Sequence, residues 1–295
     1  MSEVTQHATD VDAHTGTATT GHEWDGIKEL NTPLPRWWLW TFYATIVWAV
    51  GYWIVYPAWP GITGFTQGAF GWNARSAVVQ DLDGLKAIRA PGAAKLQAAS
   101  LADIEKNPEL LGIARAMAAP AFANNCAPCH GAGAQGAKGY PNLNDDDWLW
   151  GGTLDDIQQT LQHGIRWDSD KDTRMSAMPS FGKDGILKPD EISATADYVR
   201  SLSGLPVEKG APLEKGAKIF AENCAACHGE KGTGNAEMGA PNLTDKVWLY
   251  GSDKATIVER INQGGGGMMP AWSGKLDPLT IKALTVYVHS LGGGK

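Results

Sequence analysis

From Trp37 to Tyr56 the chain runs for twenty residues without a charge, WWLWTFYATIVWAVGYWIVY. At 1.5 Å per residue such a helix spans about 30 Å, the thickness of a bilayer's hydrocarbon core. Aromatic residues crowd both ends, as interfacial belts do, and Pro57 stops the pattern. The pattern predicts a transmembrane helix over residues 37–57. A cleaved signal peptide is excluded by the thirty-six residues that precede the run, by its length and by the lack of a small-x-small cleavage site after it. Residues 1–36 are polar, with six acids against Lys28 and Arg36, and the first twenty read as disordered. A Pro/Gly-punctuated stretch, YPAWPGITGFTQGAFGWN, starts at Tyr56 and is followed by short helical patterns, so residues 58–112 read as a linker.

Beyond the linker the hydrophobic pattern occurs twice. The first copy reads AFANNCAPCHGAGAQGAKGYPNLNDDDWLWG and the second IFAENCAACHGEKGTGNAEMGAPNLTDKVWLYG. Phe122 and Phe220 each stand four residues before a cysteine, Pro141-Asn142-Leu143 matches Pro241-Asn242-Leu243, and Trp148 and Trp248 follow those leucines by five. Each copy closes on a helical pattern. Ile192, Val199 and Leu202 share one face of the first, and Ile281, Leu284, Val288 and Leu291 one face of the second. Strand signals are nearly absent. The repeat predicts two small, mainly helical domains, 113–206 and 207–295, each of about ninety residues. A core that thin needs a cofactor to fold around.

Composition narrows the function. A net charge of -7 argues against nucleic acid as a partner, because phosphate binding needs a basic surface. The four cysteines form two pairs, Cys126/Cys129 and Cys224/Cys227, and none is left for a structural disulfide. Each pair reads Cys-x-x-Cys and is followed at once by histidine, the attachment signature of c-type haem. Thiols at i and i+3 lie on one face of a helical turn, where both can form thioethers, and the next residue can reach the iron. The assignments are Cys126, Cys129 and His130 for one haem, and Cys224, Cys227 and His228 for a second. A zinc site is disfavoured, because the pairs lie 98 residues apart.

A thioether opposite histidine suits electron transfer. Met178-Pro179 and Met269-Pro270 lie 48 and 41 residues after His130 and His228, and Met178 and Met269 are the expected sixth ligands. Met175 and Met268 compete for that role, as do His163 and His289 as bis-histidine partners. The carbonyls of Pro141 and Pro241 are placed to accept the second ring N–H of His130 and His228.

These motifs resemble class I cytochrome c over residues 113–292. Each repeat has a first helix with a small residue and an aromatic (Ala118/Phe122, Gly216/Phe220), the attachment motif, a proline loop, a Met-Pro ligand and a closing helix bearing Tyr198 or Tyr287. The stretch HEWDGIKELNTPLPRWWLW, the single anchor, YPAWP and the two tandem haem domains resemble the di-haem (CcoP- or FixP-like) subunit of cbb3-type cytochrome c oxidase. The resemblance implies a mainly α protein, one N-terminal transmembrane helix followed by two tandem class I cytochrome c domains, carrying two covalently bound haem c groups. It implies an electron-transfer subunit with no catalytic centre of its own. Such a subunit accepts electrons from a donor cytochrome c, soluble or membrane-tethered, and passes them to the mono-haem and catalytic subunits of the oxidase. It also implies a bacterial inner membrane with the N-terminus cytoplasmic and the haem domains periplasmic. Lys28 and Arg36 before the anchor, against Arg75 after it, agree with that orientation. Ligation within each repeat is simpler, but near-identical repeats equally permit each iron to take its methionine from the other. A di-haem peroxidase, a haem-based sensor and the cytochrome subunit of another membrane complex are the competing readings.

Overall fold

The computed structural model describes residues 10–292. The chain divides into two units, Met1–Lys86 and Ala87–Lys295. In the first, β1 (Thr19–Trp24) and β2 (Ile27–Leu30) form an antiparallel hairpin, α1 spans Arg36–Val55, and β3 (Pro60–Gly61) pairs with β4 (Gly64–Phe65). Helix α1 matches the expected span. It buries none of its residues, as suits a helix whose outer face meets lipid. The N-terminal segment departs from expectation, because Val11 pairs with Ala18 and Thr19 is buried at the start of β1. Positions 1–9 of the stretch expected to be disordered lie outside the described residues.

Helix α2 (Ala74–Ala98) starts in the first unit and ends in the second. Then follow α3 (Leu101–Lys106), α4 (Pro108–Asn125), the single turn α5 (Ala127–His130), α6 (Leu154–His163) and α7 (Pro189–Leu202). The second repeat supplies α8 (Leu213–Asn223), the single turn α9 (Ala225–His228), α10 (Lys254–Gln263) and α11 (Pro278–His289). Side-chain caps start several of them. Asn107 accepts from the amides of Glu109 and Leu110, Thr153 from Asp156, Asp253 from Thr256, and Asp277 from Leu279 and Thr280. Pro108, Pro189 and Pro278 each stand within the first turn, where a missing N–H costs nothing.

The helices do not pack repeat by repeat. Helix α11, from the second repeat, lies against α4 and α6 of the first, and α7, from the first repeat, lies against α8 and α10 of the second. One core gathers Ala118, Phe122, Cys126, Ile157 and Leu161 with Ile281, Leu284, Val286 and Val288. The other gathers Ile192, Ala196 and Val199 with Ile219, Phe220, Cys224, Ile257 and Ile261. Aromatic pairs cross in the same sense, Phe122 with Tyr287 at 5.4 Å and Tyr198 with Phe220 at 5.5 Å. Gly216 allows the close contact of α8 with α7, since a Cβ there would lie 2.2 Å from the carbonyl oxygen of Ala194. The boundaries 113–206 and 207–295 therefore delimit sequence repeats, whereas each packed lobe is made from both.

The start of the first haem domain also shifts. Leu96 and Ile104, within the expected linker 58–112, are fully buried in the first core. Lys282 of α11 donates to the carbonyls of Ala99 and Gln97, and His289 contacts Glu105. Part of that linker is thus core.

Candidate haem sites

Each attachment motif forms one helical turn at the end of a longer helix. The amides of Cys126 and Cys224 bond the carbonyls of Phe122 and Phe220 at 2.8 Å, and those of His130 and His228 bond Cys126 and Cys224 at 2.9 Å. Gly131 and Gly229 then turn the chain away at φ +82° and +78°, a conformation costly for any residue with a Cβ. Cys126 and Cys224 are buried, Cys129 is exposed and Cys227 intermediate. Burial, and then the neighbouring thiol, pushes Cys126 and Cys224 up to about 11. Both remain neutral thiols at neutral pH, in surroundings apolar enough for a porphyrin edge.

The Nδ1 atoms of His130 and His228 lie 3.0 Å from the carbonyl oxygens of Pro141 and Pro241. That bond requires the proton on Nδ1 and leaves the Nε2 lone pair for a metal. Burial lowers the pKa of both histidines, with the proline carbonyl opposing, so the rings are neutral.

The two Met-Pro methionines pack crosswise. Met269 packs on the core that contains Cys126, and Met178 on the core that contains Cys224. Met175 and Met268 are 61% and 58% exposed. His163 lies 3.1 Å from Asp170 and His289 is engaged by Glu105, so each competing histidine has an acid partner. The crossing is fixed by reciprocal backbone bonds. Ile165 and Met269 exchange amide–carbonyl bonds of 2.9 Å each, and Met178 and Gly265 exchange bonds of 3.3 and 2.7 Å. Gly164 and Gly264, the residues that end α6 and α10, make room. A Cβ on Gly164 would lie 2.3 Å from the Met269 oxygen, and one on Gly264 2.4 Å from the Pro179 oxygen. Arg166 adds a bond from Nη1 to the Gly267 carbonyl at 2.8 Å.

One further feature of both lobes suits a haem. Trp272, packed on the first core, and Trp248, packed on the second, each bury an indole N–H with no partner among the described residues. A buried donor left unpaired is costly, and a group with carboxylate arms supplies the missing acceptor. The pattern alone marks neither tryptophan as a donor, because the repeat shows Trp248 only as a landmark and the counterpart of Trp272 in the other copy is Phe181, which has no N–H to offer. The crossing glycines carry a fainter signal, a glycine directly after each of the two middle helices.

A membrane-length helix followed by lobes built around two Cys-x-x-Cys-His turns defines a membrane-anchored c-type cytochrome. Three family models match in chain order: "N-terminal domain of cytochrome oxidase-cbb3, FixP" over residues 16–63, "Cytochrome c" over 116–203, and "Cytochrome C oxidase, cbb3-type, subunit III" over 211–288. The chain is 65% identical to the cbb3-type cytochrome c oxidase subunit FixP of Bradyrhizobium sp. (strain ORS 278), over 97% of this chain and 98% of that protein. It is 64% identical to FixP of Bradyrhizobium diazoefficiens, over 99% and 100% of the two chains. With the subunit CcoP of Cereibacter sphaeroides it shares 50% identity over 94% and 95%. The chain belongs to the FixP/CcoP family of cbb3-type cytochrome c oxidase subunits.

Proposed function

We propose that the chain is the di-haem electron-transfer subunit of a cbb3-type oxidase, with two covalently bound haem c groups in crossed ligation. Cys126 and Cys129 would tether one haem, whose iron His130 and, from the other repeat, Met269 would hold. Cys224 and Cys227 would tether the second, with His228 and Met178 as the residues that hold its iron. When bound, each haem supplies a one-electron iron couple. The chain's residues hold that couple in place. The Pro141 and Pro241 carbonyls orient and enrich the imidazoles, the thioethers of Met178 and Met269 raise the potential, and full coordination closes the irons to other ligands. The subunit then has no catalytic centre of its own, which disfavours the peroxidase reading. Electrons enter from a donor cytochrome c and leave toward the mono-haem and catalytic subunits. The N-terminus is cytoplasmic and the haem lobes periplasmic, in keeping with Lys28 before α1 and Arg36 at its first position.

The observation that carries this reading is the placement of Met269 with Cys126 and of Met178 with Cys224. Met269→Ala tests it. Both haems should stay covalently bound, while the haem on Cys126/Cys129 loses its thioether ligand, falls in potential and begins to bind carbon monoxide. Attribution comes from pairing the change with His130→Ala, which should abolish the altered signal. An altered haem on Cys224/Cys227 would mean ligation within the repeat, and unchanged midpoints would pass the role to Met268 or a histidine.

A further inference from the structure

The apolar material does not end with α1. From Trp37 to Ala74 there is no Asp, Glu, Lys, Arg or His, thirty-eight residues in all, of which the helix uses about half. After Tyr56 the chain turns back on the helix. The amide of Ala69 bonds the carbonyl of Ile54 at 2.9 Å, and that of Phe70 bonds Val55 at 3.1 Å. Gly68, at φ +71°, sits so close that a Cβ would lie 2.5 Å from the Val55 oxygen. These bonds satisfy carbonyls that the last helical turn leaves without partners, and they hold residues 68–70 at the depth of that turn. The rings lock in behind them. Tyr56 meets Phe70 edge-on at 5.7 Å and Trp72 at 5.9 Å, and Trp53 meets Trp59 at 4.8 Å.

The β3–β4 hairpin projects from this base. Its backbone is satisfied from within, with the Thr66 amide bonded to the Trp59 carbonyl at 2.9 Å and the Trp59 amide to the Thr66 hydroxyl at 3.1 Å. Ile62 at its tip is fully exposed. Trp59 is 54% exposed, Trp72 45%, and Phe65 and Phe70 expose half or more of their surface. Five large apolar side chains within fourteen residues are thus held outward by a hairpin whose strands pair with each other.

We infer that residues 57–74 form a collar embedded in the headgroup boundary of the bilayer around the C-terminal end of α1. Three observations select lipid as the occupant. The surface is continuous with a bilayer-length helix that is itself open on all sides. It is rich in Trp and Phe and free of charge, the composition favoured where one end of a ring is apolar and the other wet. The first charge after it is Arg75, at the level where phosphate groups would lie. The collar holds whichever side of the membrane the N-terminus occupies, and it does not depend on haem ligation.

The test uses the full-length, haem-loaded chain alone in phosphatidylcholine nanodiscs, oxidised briefly by hydroxyl radicals and read residue by residue by mass spectrometry. Trp24 is the like-for-like control, a tryptophan 57% exposed and flanked by Glu23 and Asp25, and Tyr140 is a second on the haem lobes. Trp59 and Trp72 should be oxidised at least five-fold more slowly than Trp24, with Phe65 and Phe70 protected alongside. Equal rates for Trp24, Trp59 and Trp72 would overturn the collar. So would protection that appears only when the other oxidase subunits share the disc, which would make the occupant protein.

Discussion

At the scale of single residues, the acid run Asp145-Asp146-Asp147 divides in a way composition does not reveal. Asp146 is exposed, but Asp147 is half-buried. Its carboxyl is pushed up to about 6 by burial first, then by the charges of Asp245 and Asp145. A carboxyl whose pKa is higher folded than unfolded binds its proton more tightly in the native state. Stability therefore falls as pH rises from about 4 through about 6. Asp147→Asn removes that loss. We expect its thermal midpoint to exceed the parent's at pH 7.5, by about 1 kcal/mol in stability once screening by solvent is allowed for, and to match it at pH 4. Calorimetry at the two pH values checks this, and an equal difference at both would mean that Asp147 acts through packing.

At the scale of elements, the decisive feature is the point where each chain segment leaves its own repeat. Gly164 ends α6 at φ +69° and Gly264 ends α10 at φ +61°, and each faces a carbonyl of a Met-Pro loop, at Met269 and Pro179 respectively. Gly164→Ala combines an unfavourable backbone conformation with a contact that backbone cannot relieve. It should cost about 2–4 kcal/mol and displace the Met269 loop while leaving α5 and its thioethers in place. The expected spectrum shows loss of the methionine–iron charge-transfer band for one haem at full haem content. Retention of the band in both haems would show that the loop tolerates the shift. Helix α7 has a further tie to the second lobe, since buried Asp197 pairs with Lys254 of α10 at 2.7 Å. That pair joins a helix of one repeat to a helix of the other, so it too stabilises the crossed arrangement.

At the scale of the molecule, the lobe of α7 to α10 is one continuous stretch of chain inserted between α6 and α11 of the other lobe. Closing that other lobe brings the two ends of the insert together, so residues 87–295, exported behind a cleavable signal, should form a soluble di-haem protein with a single thermal transition. Two transitions separable by denaturant would imply that the lobes close independently. Charge is the other whole-molecule property. Residues 116–205 hold twelve acids and seven Lys/Arg, whereas 206–295 hold nine acids and ten Lys/Arg. Asp147 is half-buried and Asp170 is held by His163, which leaves Asp146, Asp168 and Asp172 exposed to steer a basic donor. Changing these three to Asn should slow reduction by a basic cytochrome c several-fold at low ionic strength and flatten its salt dependence. Reduction by a small neutral reductant should be unaffected. An unaltered salt dependence would place donor docking elsewhere.

The sequence by itself determined what is local. The span of α1, the turns that present Cys126, Cys129 and His130 and their counterparts, and the proline carbonyls behind each imidazole all follow from spacing. Hydrogen bonds over three to thirteen residues realise that spacing. Only the tertiary structure decided which closing helix completes which lobe. Helices α7 and α11 present similar apolar faces to similar partners, so the two pairings differ by a small residue of nearly equal energies, and no local pattern encodes such a difference. The loops that leave α6 at Gly164 and α10 at Gly264, and the backbone bonds these glycines permit, hold the crossed pairing. The same reason hid the roles of Leu96 and Ile104. Two apolar residues on short helical patterns look like linker until α11, nearly two hundred residues away in the chain, supplies the surface that buries them.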